Sequence, residues 1–161
     1  EETAEAWFMA MERLGGPTAL VFTRQNLVTY AKPSGWKADA RKGAYIVKDT
    51  EGAPDVVVAA TGSEVNLALA AAEKSSKKVR VVSVMSQERL READAAFREK
   101  LFPADAKVVT AEVASRLGWE AIASSPELTF SVDRFGVSGP GEEVAEHLGY
   151  TVENLQRLIE S

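Results

Sequence analysis

From residue 44 onward, short apolar runs alternate with stretches of helical period, and that alternation restricts the possible folds more than any other feature of the chain. The runs 44–47, 56–60, 79–84, 108–113 and 128–132 are rich in β-branched residues and short enough to be strands. Between and after them, Val65, Ala68, Leu69 and Ala72 mark one helical face, and Val152, Leu155 and Ile159 mark the last. Residues 90–101 have a weaker period but are good helix formers and stop before Pro103. Strands separated by helices predict an α/β fold: a three-layer sandwich with a mostly parallel five-stranded sheet, helices on both faces and right-handed crossovers. The first run is joined to the second by the turn-prone Asp49-Thr50-Glu51-Gly52. It is therefore expected to be a hairpin strand, the one antiparallel member of the sheet.

The first 43 residues break this pattern. Trp7, Ala10, Met11 and Leu14 recur at helical spacing, Thr3 offers an N-cap, and Gly15-Gly16-Pro17 stops the helix. An apolar run at 18–23 reads as a strand. A lone helix and strand cannot bury their apolar faces, so residues 1–27 look like the tail of a larger domain. Residues 28–43 mix Pro33, Ser34, Gly35 and Gly43 with four Lys and Arg and show no sustained period, which reads as a linker to the domain at 44–161.

Composition narrows the function. A net charge of −5 without a basic stripe argues against nucleic acid or an anionic membrane as the main partner. No cysteine is present, which excludes a disulfide scaffold, thiolate zinc and a cysteine nucleophile and fits a reducing, cytoplasmic setting. No apolar run approaches the length of a membrane span. With one histidine, no second imidazole and no Asp-rich loop, zinc and calcium sites are not expected.

Several residues have candidate chemistry. Arg24, followed by Gln25 and Asn26, comes directly after the run 18–23. The carboxyl ends of strands border the ligand crevice of an open α/β sheet, and the planar fork of arginine fits a phosphate. An arginine at a strand end also serves in surface ion pairs, and taken alone the plainer role is favoured. Thr61-Gly62-Ser63-Glu64 lies at a strand-to-helix turn whose free N–H groups suit an anion. Thr61 and Glu64 also have the spacing of a capping box, the stronger reading because the P-loop lysine and the spaced glycines of a dinucleotide fingerprint are missing. His147 falls in the last turn of an expected helix that ends at Gly149, where an imidazolium stabilises the helix terminus; it reads as structural. Asp133-Arg134-Phe135-Gly136 closes the last strand and reads as a salt-bridged interface corner or, less favoured, as a substrate contact. Glu112 is a crevice or interface acid on the same edge.

Taken together, Arg24-Gln25-Asn26-Leu27, Thr61-Gly62-Ser63-Glu64, Val79-Arg80-Val81-Val82-Ser83, Asp133-Arg134-Phe135-Gly136-Val137-Ser138-Gly139-Pro140 and Gly149-Tyr150-Thr151-Val152-Glu153-Asn154 resemble, in order and spacing, the C-terminal end of transketolase. The resemblance runs over essentially the whole chain. It implies the end of the pyrimidine-binding domain at 1–27 and a complete C-terminal domain at 44–161. It also implies an enzyme that moves a two-carbon ketol unit between sugar phosphates, using thiamine diphosphate and a divalent metal in a homodimer. By the match, Arg24 corresponds to the family arginine that contacts the sugar phosphate. The metal motif, the cofactor glutamate and the family histidines precede the matched part, so no catalytic, cofactor or metal residue is expected here and the chain alone is expected to be inactive. Met85 departs from the pattern, standing where the family usually has proline before Ser86, which bears on the local turn. Two alternatives stay open: another thiamine-dependent enzyme, such as a deoxyxylulose-phosphate synthase or an oxo-acid dehydrogenase subunit, and a non-catalytic association or regulatory module.

Overall fold

The computed structural model describes residues 1–161. Its centre is a five-stranded sheet made of β1 (Ala44–Lys48), β2 (Val56–Ala60), β3 (Val79–Val84), β4 (Lys107–Ala111) and β5 (Thr129–Phe130), in the order β1-β3-β2-β4-β5. All neighbouring pairs are parallel except β1 and β3. The antiparallel strand is as expected, but it is not the hairpin partner of β2. Both edges of β2 are taken by β3 and β4, so β1 crosses over to the free edge of β3, with Ala44 opposite Val84.

Every residue of β2 and β3 is buried, because helices cover both faces. On one face Val56, Val58, Val81 and Val109 meet Val65, Ala68 and Ala71 of α3 (Glu64–Lys74) and Leu155 and Ile159 of α7 (Val152–Glu160). On the other, Val57, Ala59, Val82 and Val108 meet Leu90, Phe97, Leu101 and Trp119. This second layer is two helices where one was expected: α4 (Gln87–Glu92) and α5 (Ala95–Leu101) are separated by Ala93 and Asp94. Ser86 caps α4 by accepting from the Arg89 N–H, and Asp94 caps α5 by accepting from the Phe97 N–H at 2.7 Å. The last helices are α6 (Gly141–Leu148), which Gly149 ends in a left-handed conformation, and α7, capped by Thr151.

The front of the chain differs from expectation in three ways. Helix α1 (Glu2–Glu12) starts from Glu1 and not from Thr3. Residues 18–23 form no strand, because no strand of the chain pairs with them to complete a ladder. Within 28–43 a short helix, α2 (Trp36–Ala40), buries Trp36 against Tyr45 of β1, with ring centroids 5.1 Å apart.

Helix α1 packs on this chain's own sheet. It does so through its polar face. Glu2 Oε1 accepts from Tyr45 OH and Ser83 Oγ, both at 2.7 Å, and from Tyr30 OH at 3.2 Å. Glu5 is buried beside Arg41 Nε at 2.7 Å, and Arg41 Nη1 donates to Glu12 at 2.6 Å. The apolar stripe faces outward, with Trp7 53%, Met11 61% and Leu14 94% exposed. The joint between β3 and the residues before β1 is also close: Gly43 O accepts from the Met85 and Ser86 N–H groups at 2.8 and 2.9 Å. A proline at 85 would forgo the first of these, so Met85 adds a hydrogen bond to this turn.

Candidate functional site

The carboxyl ends of the parallel strands β2, β3 and β4 open on one edge at Ala60, Val84 and Ala111. Three features gather there: the turn from β2 into α3, the acid at the end of β4, and the extended segment that carries Arg24.

The turn does not form the expected capping box. Gly62 adopts φ +54°, which carries the chain round so that Ser63, not Thr61, is the residue before α3. The carboxylate of Glu64 turns inward, is buried, and accepts from Ser63 Oγ at 2.9 Å. Burial pushes the Glu64 carboxyl up, and the charge of Glu112 pushes it further in the same direction. The same two carboxylates, after burial, raise Tyr150, whose ring stacks on Phe130 with centroids 4.5 Å apart. An anion at the N-terminus of α3 would share that end of the helix with the buried Glu64 carboxyl, which weighs against the phosphate reading of this turn.

Asp133 and Arg134 do not pair with each other. Asp133 accepts from the Arg116 N–H at 2.9 Å, from Arg116 Nε at 2.7 Å and from Ser131 Oγ at 3.0 Å. The Arg116 backbone N–H, then its guanidinium, hold the Asp133 carboxyl below the usual carboxylate range. Arg134 instead donates to the His147 carbonyl at 3.3 Å, at the C-terminal end of α6, and Phe135 is fully exposed. His147 stays in the last turn of α6, where it was expected. Glu112 accepts from the Ala114 N–H at 3.1 Å, closing the turn after β4.

The extended segment 18–29 runs past this edge. Thr23 Cγ2 lies against Gly62, within 3.3 Å of where a Cβ would stand, and Asn66 Nδ2 donates to the Val28 carbonyl at 3.2 Å. Between those two points lie Arg24, Gln25, Asn26 and Leu27, all exposed. No ion pair of the chain engages Arg24. Beside the segment, a cleft of about 560 Å³ separates α1 and residues 18–20 from the end of β3, lined among others by Met9, Arg13, Leu20, Met85 and Arg89. No three His, Cys, Asp or Glu side chains converge as metal ligands. With no such cluster and an acid seated at the turn into α3, these residues do not fit a metal–diphosphate group.

No helix is long and apolar enough to cross a membrane. The family model "Transketolase-like TK C-terminal domain" matches residues 43–151. A transketolase of Vibrio vulnificus is 42% identical over 161 residues, covering 96% of this chain and 24% of the relative. The solved transketolase of Leishmania mexicana superposes with a TM-score of 0.90 at 33% identity, covering 99% of this chain and 23% of that one. A Pichia stipitis transketolase in complex with sedoheptulose-7-phosphate superposes with a TM-score of 0.88 at 30% identity, with coverages of 99% and 23%. The chain thus spans about a quarter of the length of these relatives. The sheet order, the single antiparallel strand and the agreement with these relatives place the chain in the transketolase family, as a transketolase C-terminal domain.

Proposed function

We propose that this chain is the C-terminal portion of an enzyme that transfers a two-carbon ketol unit between sugar phosphates, and that Arg24 is its contribution to substrate binding. Residues 1–27 end the pyrimidine-binding domain, 28–43 link it to the next, and 44–161 form the C-terminal domain. One observation carries the arginine's role: an exposed guanidinium without an ion-pair partner stands on a short loop at the carboxyl edge of the sheet. A free guanidinium presents its whole donor fork to a phosphate, whereas one already held by a carboxylate would first have to give that up. The Pichia stipitis relative was solved with a sugar phosphate, which supports the same chemistry here.

In the complete enzyme, thiamine diphosphate with a divalent metal supplies the carbanion chemistry. The residues of this chain hold neither, so its own part is to grip the phosphate end of the substrate and fix its orientation. The enzyme is proposed to be a cytoplasmic homodimer, with the outward stripe of Trp7, Phe8, Met11 and Leu14 covered in the assembly. The test is steady-state kinetics of Arg24→Ala in the complete enzyme. Losing a charged donor to phosphate lowers kcat/KM for phosphorylated substrates about 10–150-fold and leaves unphosphorylated analogues unaffected. Equal losses on both substrate types, or none, would overturn the assignment.

A further inference from the structure

The loop that carries Arg24 has no secondary structure of its own, and its residues are exposed. A guanidinium on such a loop must be held in place, or each binding event pays for ordering it. Two contacts do this, one at each end. Thr23, the residue before Arg24, rests on Gly62, where a Cβ would stand 3.3 Å from Thr23 Cγ2; glycine takes both that close approach and φ +54° without strain. Val28, the residue after Leu27, has its carbonyl held by Asn66 Nδ2 at 3.2 Å.

Both anchors belong to the turn into α3 and its first residues. That helix is among the most firmly held parts of the fold: Val65, Ala68 and Ala71 are wholly buried against the sheet, and α7 packs alongside. Gly62 and Asn66 cannot shift without disturbing that packing. The four-residue loop is therefore bracketed by a rigid element of the C-terminal domain.

We infer that Gly62 and Asn66 are positioning residues for the Arg24 loop, so that the C-terminal domain sets the affinity for the phosphate end of the substrate without touching it. The inference rests on the phosphate role of Arg24 proposed above. It gives the domain a part in substrate selection that is separate from assembly.

The experiment compares Asn66→Ala, Asn66→Asp and Arg24→Ala in the complete enzyme, with a ketose phosphate and with the same sugar lacking phosphate. Asn66 is only partly buried, so both of its variants retain the fold, which circular dichroism verifies. Losing one neutral hydrogen bond raises KM for the phosphorylated sugar about 3–10-fold. The kcat value and all parameters for the unphosphorylated sugar are unchanged. Asn66→Asp keeps the shape, loses the donor and sets a carboxylate against the Val28 carbonyl, so its KM for the phosphorylated sugar rises at least as much as that of Asn66→Ala. If Arg24→Ala shows the phosphate-specific loss and the Asn66 variants match wild type, the positioning role is wrong and the phosphate role stands. If Arg24→Ala shows no phosphate-specific loss, both fail. If the Asn66 variants lose kcat on both sugars, their role is general stability and the inference is overturned.

Discussion

Replacing Glu2 with alanine removes the acceptor that ties α1 to the sheet. Its Oε1 takes hydrogen bonds from Tyr45 OH and Ser83 Oγ at 2.7 Å each and from Tyr30 OH at 3.2 Å. Hydrogen bonds to a charged acceptor contribute about 1.5–3 kcal/mol each. Ser83 and Tyr45 are almost completely buried, so both hydroxyls lose their carboxylate partner at a site that water reaches poorly. Tyr30 is more exposed and is resolvated. Counting the two short bonds at the lower part of the range gives a cost of about 3–4 kcal/mol. The core around β2 and β3 contains no α1 residue, so the cost falls on docking of the helix and not on the sheet. Native-state hydrogen exchange reads this directly: peptides covering 2–12 should exchange about 150–1,000-fold faster, while those covering 56–60 are unchanged. Glu2→Gln, which keeps a neutral acceptor, should lie between. Unchanged exchange in α1, or equal acceleration in α1 and β2, would refute the reasoning.

Gly43→Ala places a Cβ against the Leu90 backbone nitrogen and 2.6 Å from the Ser86 carbonyl at φ +110°; urea unfolding should show a loss of about 2–4 kcal/mol, and a near-neutral variant would contradict the packing at this joint. Glu64→Gln should stabilise the protein at neutral pH. Burial and Glu112 raise the folded-state pKa of Glu64 above its unfolded value, so the folded state binds the extra proton and stability falls as pH rises above about 4.5. Thermal melts of the two proteins should therefore diverge above that pH and converge below it; parallel curves would show that the carboxylate is not strained.

The alternation after residue 44 was enough to read the fold, because strands buried on both faces are mostly apolar, with few polar residues such as Arg80 and Ser83, and their helices carry one apolar stripe. What was misread depended on partners distant in the chain. The run 18–23 has the composition of a strand, yet a strand exists only where another supplies its ladder. The face of α1 that docks on this sheet is led by Glu2 and Glu5, and the hydroxyls that receive Glu2 lie up to 81 residues away, so the local sequence carries no sign of it. Asp133 and Arg134 are adjacent, but adjacent residues at a strand end diverge, and the carboxylate reaches Arg116 on the neighbouring loop. Thr61 and Glu64 had capping-box spacing, and the positive φ of Gly62 moved the helix start by two residues. Asn66 carried no signal of its own, since its contact is to a backbone carbonyl 38 residues earlier. Arg24 taken alone reads as a surface ion-pair residue; its phosphate role comes from the family resemblance and is the proposal that the Arg24→Ala kinetics put to the test.

A crystal structure of the complete enzyme with a bound ketose phosphate tests the central claim most directly. The account predicts the Arg24 guanidinium within hydrogen-bonding distance of the phosphate oxygens, with the Thr23–Gly62 contact and the Asn66–Val28 hydrogen bond intact. A phosphate held by other residues, with Arg24 directed into solvent, would contradict it.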